Sequence, residues 1–154
     1  MTPVEFRTCL PTEPPAADFL VDMVTEMLEL YGITGPTIGV PLEPEELGPP
    51  TGAYLVGWIG PDAVAGGGVR LITPRLAEIK RMYVRPGFRG QGIGRGLLGS
   101  LEGAAVQLGA TLVRLDTGSK QPEAQALYER SGYRAIGNWN NNPHAAFWGE
   151  KELQ

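Results

Sequence analysis

Cysteine and histidine are almost missing from this chain: Cys9 and His144 are the only ones in 154 residues. One cysteine excludes an internal disulfide and fits a reducing compartment, so a cytoplasmic location is expected. One histidine, with no cysteines or carboxylates at ligand spacing, argues against a metal centre and reads as incidental. No apolar run approaches the roughly 20 residues of a membrane span. The opening Met-Thr-Pro-Val-Glu-Phe-Arg lacks a basic stretch followed by an apolar one, so neither a signal peptide nor a membrane partner is expected. A broad basic face is lacking too. The net charge is −4, and residues 1–50 carry nine acidic groups against the single base Arg7, so nucleic acid is not an expected partner. There is no internal repeat, and no Gly-Lys-Ser/Thr to make a Walker-type phosphate loop.

What is present is enough for one domain spanning 1–154 with a real core. Val4–Leu10 reads as a strand. Thr12 is a candidate N-cap, Pro14 and Pro15 suit a first helical turn, and Leu20, Met23, Val24, Met27, Leu28 and Tyr31 recur at helical spacing up to Gly32. The methionines read as core. Residues 33–51 read as a Pro- and Gly-rich loop with a helical turn or two at 43–47. Strands follow at 52–60 and 63–73, joined by Gly60-Pro61-Asp62, and Gly66-Gly67-Gly68 inside the second marks a bulge or a close backbone approach. A strand at 76–84, a helix from about Gln91 to Leu108, a strand at 111–117, a helix at 121–131 and strands at 133–138 and 145–153 complete the chain. This order predicts an α+β fold, a mixed α/β sandwich with helices covering a central sheet.

The most informative stretch joins the fourth of these strands to the second long helix. Pro86-Gly87 breaks the strand, and Arg89-Gly90-Gln91-Gly92-Ile93-Gly94-Arg95 opens the helix. Backbone N–H groups at a helix start have no intrahelical partner, and the helix dipole favours an anion there. Glycines at 90, 92 and 94 let backbone approach a ligand closely. Lys80, Arg81, Arg85, Arg89 and Arg95 add five cations with no acid between 80 and 95. The stretch is a phosphate cradle for one polyanionic ligand. Gly94-Arg95-Gly96-Leu97-Leu98-Gly99 also matches G-x-G-x-x-G, but it falls inside the helix, where a dinucleotide fold does not use it.

Arg89-Gly90-Gln91-Gly92-Ile93-Gly94 resembles the acetyl-CoA motif, Q/R-x-x-G-x-G/A, of the GNAT superfamily of N-acetyltransferases. The preceding Ala77–Val84 resembles that family's fourth strand. Ala126-Leu127-Tyr128-Glu129-Arg130-Ser131-Gly132-Tyr133 resembles its second CoA motif. The resemblance implies an acyl-CoA N-acyltransferase fold with a mostly antiparallel sheet whose fourth and fifth strands splay apart. It implies acetyl-CoA as co-substrate, held by the backbone of Met82, Tyr83 and Val84 and by the turn comprising Arg89, Gly90, Gln91, Gly92, Ile93, Gly94 and Arg95. No metal is implied, and dimers are common in the family.

Two side chains are assigned to catalysis by the same resemblance. Tyr128 matches the tyrosine near the thioester sulfur. A phenol of pKa about 10 can hydrogen-bond or protonate a departing thiolate of pKa about 8.5, although full transfer is uphill by about 2 kcal/mol. Glu78 lies where several family members carry a base. A carboxylate of ordinary pKa about 4.3 needs a water relay or a raised pKa to deprotonate an amine; the other reading of Glu78 is a strand glutamate paired with a nearby arginine. Thr117 and Gly118 stand where many relatives place an asparagine toward the cofactor, so one family contact is missing. The expected reaction is transfer of an acetyl group to a primary amine of a small molecule or peptide by direct attack in a ternary complex. The acidity of 26–51 favours a cationic amine. A silent CoA-binding sensor or scaffold, and the same enzyme with another acyl donor, are the competing readings.

Overall fold

The structure is a computed structural model that describes residues 3–36 and 38–154. Seven strands, β1 (Glu5–Thr8), β2 (Gly52–Ile59), β3 (Asp62–Thr73), β4 (Leu76–Val84), β5 (Leu112–Gly118), β6 (Arg134–Ala135) and β7 (Ala145–Glu152), form one sheet. Their order is β1-β2-β3-β4-β5-β7-β6. All pairings are antiparallel except β4 with β5, which is parallel and confined to Leu76–Glu78 against Leu112–Arg114. Beyond Glu78 the two strands diverge, which is the splay expected of the fourth and fifth strands.

Helices α1 (Ala16–Tyr31), α2 (Ile93–Gln107) and α3 (Pro122–Arg130) cover the sheet. Ile93, Leu97, Leu98, Leu101 and Ala105 of α2 and Tyr128 of α3 pack with Val64, Val69, Ile79, Val113 and Leu115 on one face. Ala16 and Phe19 of α1 pack with Leu47, Tyr54, Val56 and Tyr83 on the other. This is the layered α+β arrangement in which each apolar face is buried against another element. Gly32 ends α1 in the left-handed region at φ 64°, a conformation glycine adopts without Cβ strain.

Several boundaries differ from the sequence reading. The first strand is limited to Glu5–Thr8, and α1 starts after Pro15 with no side-chain cap, so Thr12 does not serve as N-cap. The strand expected at 133–138 shortens to Arg134–Ala135, although Ile136 N–H still donates to Trp148 O at 2.8 Å. The loop at 33–51 includes Thr37, which lies outside the described residues, and its helical turn is a 3-10 turn at Pro44–Leu47. The triple glycine serves close approach, while the bulge opposite it has its extra residue on β4, not among the glycines. The register between β3 and β4 shifts between Gly66 and Gly68, and a Cβ at Gly66 would lie 2.8 Å from Cε1 of Tyr54 while one at Gly68 would lie 2.8 Å from Cδ2 of Leu47.

Candidate active site

The divergence of β4 from β5 opens a groove of about 1160 Å³ that runs over the start of α2. Met82, Tyr83, Val84, Arg89, Gly90, Gly92, Ile93, Gly94 and Arg95 line it; Gln91 is exposed and does not. The N–H groups of 90–95 donate to no backbone acceptor among the described residues, and the first bond of the α2 ladder runs from Gly96 N–H to Gly92 O at 3.3 Å. Gly90 and Gly92 sit at φ 79° and 81°, and a Cβ at either would meet nothing within 4 Å. Glycine is therefore required here by backbone conformation, and the resulting turn presents its free donors to the groove. Arg89, Arg95, Lys120 and Arg130 bring four cations to the lining, against Glu26 and Glu123. An extended polyanion fits this surface.

Arg89 is more engaged than the cradle reading requires. Its Nε donates to Val84 O at 2.7 Å, and Nη2 donates to Oε1 of Glu26 on α1 at 2.8 Å. Arg85 turns away, donating to Ala63 O at 3.2 Å.

A second, smaller cavity of about 90 Å³ adjoins the groove, and Met23, Met27, Met82 and Gln121 line both. Met27 is buried and Met23 packs on the α1-side core, as their spacing predicts, and both also line the two cavities. Tyr128 stands at this junction, 7% exposed, with its hydroxyl 3.8 Å from Sδ of Met82. Burial, and secondarily the charge of Asp116, push its pKa up, so the phenol is firmly neutral at pH 7.

Behind the cavity lies a buried charged network. Glu78 is 1% exposed and accepts two hydrogen bonds on Oε1 from Arg70, from Nε at 3.1 Å and Nη2 at 3.0 Å. Its Oε2 lies 3.4 Å from Nδ2 of Asn140 and 3.7 Å from Nζ of Lys80. Arg70 also pairs with Glu46. Lys80 bridges to Asp116 Oδ1 at 3.5 Å, and Asp116 Oδ2 accepts from Nδ2 of Asn140 at 2.6 Å and of Asn142 at 3.2 Å. Trp148 Nε1–H donates to Asn140 Oδ1 at 3.0 Å, fixing the amide's orientation. Buried charges need this density of partners. Glu78 is the arginine-paired strand glutamate of the second sequence reading, with Oε1 on Arg70 and Oε2 toward Asn140 and Lys80.

The far wall of the cavity is closed by Tyr31, whose hydroxyl donates to Oε1 of Gln121 at 3.1 Å and accepts from Lys120 N–H at 3.1 Å. A Cβ at Gly118 would lie 2.6 Å from Cζ of Tyr31, so glycine at the end of β5 is what admits the tyrosine. His144, read as incidental, lines the same cavity with its ring centroid 6.4 Å from that of Tyr31. Arg70, Lys80, Asp116, Asn140 and Asn142 were not singled out individually as site residues. For Arg70, Lys80 and Asp116 the signal in the sequence is charge inside a strand, as in Leu115-Asp116-Thr117, whereas Asn140 and Asn142 lie in a polar turn that carries no such signal. No group of three or more His, Cys, Asp or Glu residues able to hold a metal occurs among the described residues.

A splayed sheet with a glycine turn at a helix start, leading to a buried tyrosine and a polar cavity, defines an acyl-transfer fold. A sequence model of the Acetyltransferase (GNAT) family matches residues 20–133. The chain belongs to that family. It is 32% identical over 123 residues to an IAA acetyltransferase of Azospirillum brasilense, covering 79% of this chain and 80% of that one. It is 30% identical over 145 residues to an uncharacterised N-acetyltransferase of Escherichia coli K12, covering 88% and 84%. Among solved structures, a Klebsiella pneumoniae protein assigned as an acyl-CoA N-acyltransferase superposes with a TM-score of 0.79 over 100% of both chains at 28% identity. A GNAT acetyltransferase of Elizabethkingia anophelis, solved with acetyl-CoA bound, shares the fold at a TM-score of 0.69 and 17% identity over 97% and 98% of the chains. The α+β acyl-CoA N-acyltransferase architecture expected from the sequence is the one observed.

Proposed function

We propose that the chain is an acetyl-CoA-dependent N-acetyltransferase that acetylates a primary amine by direct attack within a ternary complex. The observation that carries this reading is the junction itself: the cationic groove and the small polar cavity meet at Met82, beside the Tyr128 hydroxyl. Acetyl-CoA supplies an activated acetyl thioester whose carbonyl carbon an amine can attack. The N–H groups of 90–95 and the cations of the groove hold its diphosphate. The unpaired edge of β4 at Met82, Tyr83 and Val84 receives its amide-bearing arm as a further strand would be received.

In the transfer a C–N bond forms and the C–S bond breaks. Tyr128 donates a hydrogen bond, and in the limit its proton, to the leaving sulfur. Burial keeps the phenol protonated, so it is a hydrogen-bond donor throughout the neutral range. The proton lost by the amine passes through a water to Glu78 Oε2, since Glu78 does not itself line the cavity. Cys9 packs near Tyr54 on the other face of the sheet and has no part in this.

The reading is tested by thiol release from acetyl-CoA against amines, amino acids, polyamines and short peptides, with Tyr128→Phe and Glu78→Gln alongside. Turnover of one acceptor class, slowed in Tyr128→Phe, is the expected result. Tight acetyl-CoA binding by calorimetry without turnover of any acceptor would favour a CoA-binding sensor or scaffold. No acetyl-CoA binding would remove the reading of the cradle.

A further inference from the structure

We propose, building on the acetyltransferase reading, that the small cavity selects an acceptor carrying a carboxylate beside its amine, as an amino acid does, and that Arg81 and Thr117 read that carboxylate.

Arg81 is placed by a break in strand alternation. Ile79, Met82 and Val84 all pack on the α2 face and Tyr83 on the α1 face, so one residue too many separates Ile79 from Met82. The register shows the same excess: Gly68 pairs with Lys80 and Gly66 with Tyr83, two steps on β3 against three on β4. Arg81 absorbs it at φ 61°, a costly conformation for a residue with a Cβ. The bulge turns Arg81 into the cavity that Lys80 and Asp116 also line. Strain kept at one residue in a cavity wall motivates a functional reading of that residue.

The other charges behind the cavity are matched. Arg70 has Glu46 and Glu78, Lys80 has Glu78 and Asp116, and both oxygens of Asp116 are taken. Arg81 makes no ion pair and no side-chain hydrogen bond among the described residues, although its guanidinium offers five donors. Burial acts against its charge, with Asp116 supporting it from a distance and Arg70 opposing it. A second donor is left over on the same wall: Thr117 is 6% exposed, and its Oγ1 has no partner among the described residues. Thr117 Oγ1 is a partnerless buried donor whose cost an incoming acceptor relieves, and the half-buried Arg81 guanidinium has no side-chain acceptor among the described residues. A carboxylate offers two oxygens with about four lone-pair sites, enough for both.

Charge elsewhere agrees. The acidic residues of 26–51 that favoured a cationic amine do not line this cavity: Glu29, Glu43 and Glu45 are exposed, Glu46 is paired with Arg70, and Glu26 is bound to Arg89 over the groove. Arg81 and Thr117 line the small cavity and not the groove, so they face the acceptor rather than the cofactor's phosphates.

The experiment compares each α-amino acid that is turned over with its amide and its decarboxylated amine, in wild type, Arg81→Gln, Arg81→Lys and Thr117→Val. Acetyl-CoA binding by calorimetry accompanies each variant. We expect wild type to prefer the carboxylated acceptor at least tenfold in kcat/KM. Arg81→Gln should lose that preference through acceptor KM, Arg81→Lys should keep part of it, and Thr117→Val should lose several-fold, all with acetyl-CoA affinity near wild type. An absent preference in wild type, or one retained in Arg81→Gln, overturns the proposal while leaving the acetyltransferase reading intact. If Arg81→Gln fails to fold, a preference unchanged in both Arg81→Lys and Thr117→Val overturns it equally. If no amine is turned over, amino acid and amide are titrated into the wild-type complex with CoA, and equal or absent binding of the two overturns it. Failure of wild type to bind acetyl-CoA strikes the cradle reading instead, and this inference falls with it.

Discussion

Arg70 grips Glu78 by a single carboxylate oxygen: both of its hydrogen bonds, from Nε at 3.1 Å and Nη2 at 3.0 Å, end on Oε1. The two oxygens of Glu78 therefore do different work, one anchoring the strand and the other facing Lys80 and Asn140. Glu78→Gln separates these tasks, because an amide oxygen can still accept from Arg70 while the charge and the basic site are gone. We expect kcat to fall by about 10- to 100-fold and stability by about 1–3 kcal/mol, read from steady-state rates between pH 6 and 9 and from urea melts. A variant that loses stability but keeps its kcat would leave Glu78 as a partner of Arg70 alone.

Tyr128→Phe removes the proton donor and keeps the ring that packs against Tyr133, whose centroid is 6.0 Å away. A thiolate is a fair leaving group without help, so the expected loss in kcat is about 10- to 100-fold and not complete. Acetyl-CoA KM should stay within about threefold, since the hydroxyl assists the transition state more than the bound state. The pH dependence follows from the direction of the shift. Burial raises the Tyr128 pKa, so the phenol stays protonated from pH 7 to beyond its ordinary value of about 10. The ratio of wild-type to variant kcat should be the same at pH 7 and pH 9. A ratio that collapses toward pH 9 would mean that Tyr128 ionises in that range and is not the buried neutral donor described.

The architecture was legible in the sequence because its signals are local. The period of Ile93, Leu97, Leu98, Leu101 and Ala105 fixes the buried face of α2, and the glycine turn before it fixes the cradle. The small cavity was not legible for the opposite reason. Its wall is built by residues far apart in the chain, as when Tyr31 meets Gln121 and Asn142 meets Asp116. No periodicity announces such contacts. The bulge at Arg81 is similarly silent, since Lys80-Arg81-Met82 reads as ordinary alternation until its pairing with the triple glycine is seen. Bulk charge is silent in the same way: of the acids in 26–51 that favour a cationic acceptor, Glu46 is paired with Arg70 and Glu26 is held by Arg89.

That contact moves the expected effect of Glu26 from the acceptor to the cofactor. Glu26 lies on α1 across the groove and engages the guanidinium that the cradle would offer to a diphosphate. Glu26→Gln removes a negative charge from the path of a polyanion and weakens the competing partner of Arg89. Both side chains are partly exposed, so the gain is that of a screened surface pair, about 0.2–1 kcal/mol. Acetyl-CoA KM should fall by about two- to fivefold at low salt, and the difference should shrink toward 0.5 M salt as screening shortens the interaction. Acceptor KM should not change. A shift in acceptor KM with acetyl-CoA KM constant would return Glu26 to the acceptor site.

Tyr54 presents a different case, a hydroxyl that the fold buries without using. The residue is 1% exposed, packed against Gly66, and its Oη has no hydrogen-bond partner among the described residues. Burial raises its pKa, with a smaller contribution from Cys9. A group whose folded pKa lies above its unfolded value stabilises the fold fully below the unfolded pKa, and that stabilisation is lost as pH rises through the folded pKa. For a tyrosine the loss begins near pH 10, at up to about 1.4 kcal/mol per pH unit. Tyr54→Phe deletes an unsatisfied polar atom and keeps the ring, so it should leave stability at pH 7 unchanged or raise it by about 1 kcal/mol. Above pH 10 the variant should lose stability less steeply than wild type, because one of the buried phenols that drive the slope is gone. Tyr128 and Tyr133, both raised chiefly by burial, supply the slope that remains. Urea melts of the two proteins at pH 7 and between pH 9.5 and 11 measure both effects. Parallel pH curves would show that the Tyr54 hydroxyl ionises as freely in the fold as in the unfolded chain, and a loss of stability at pH 7 would show that it has a partner there.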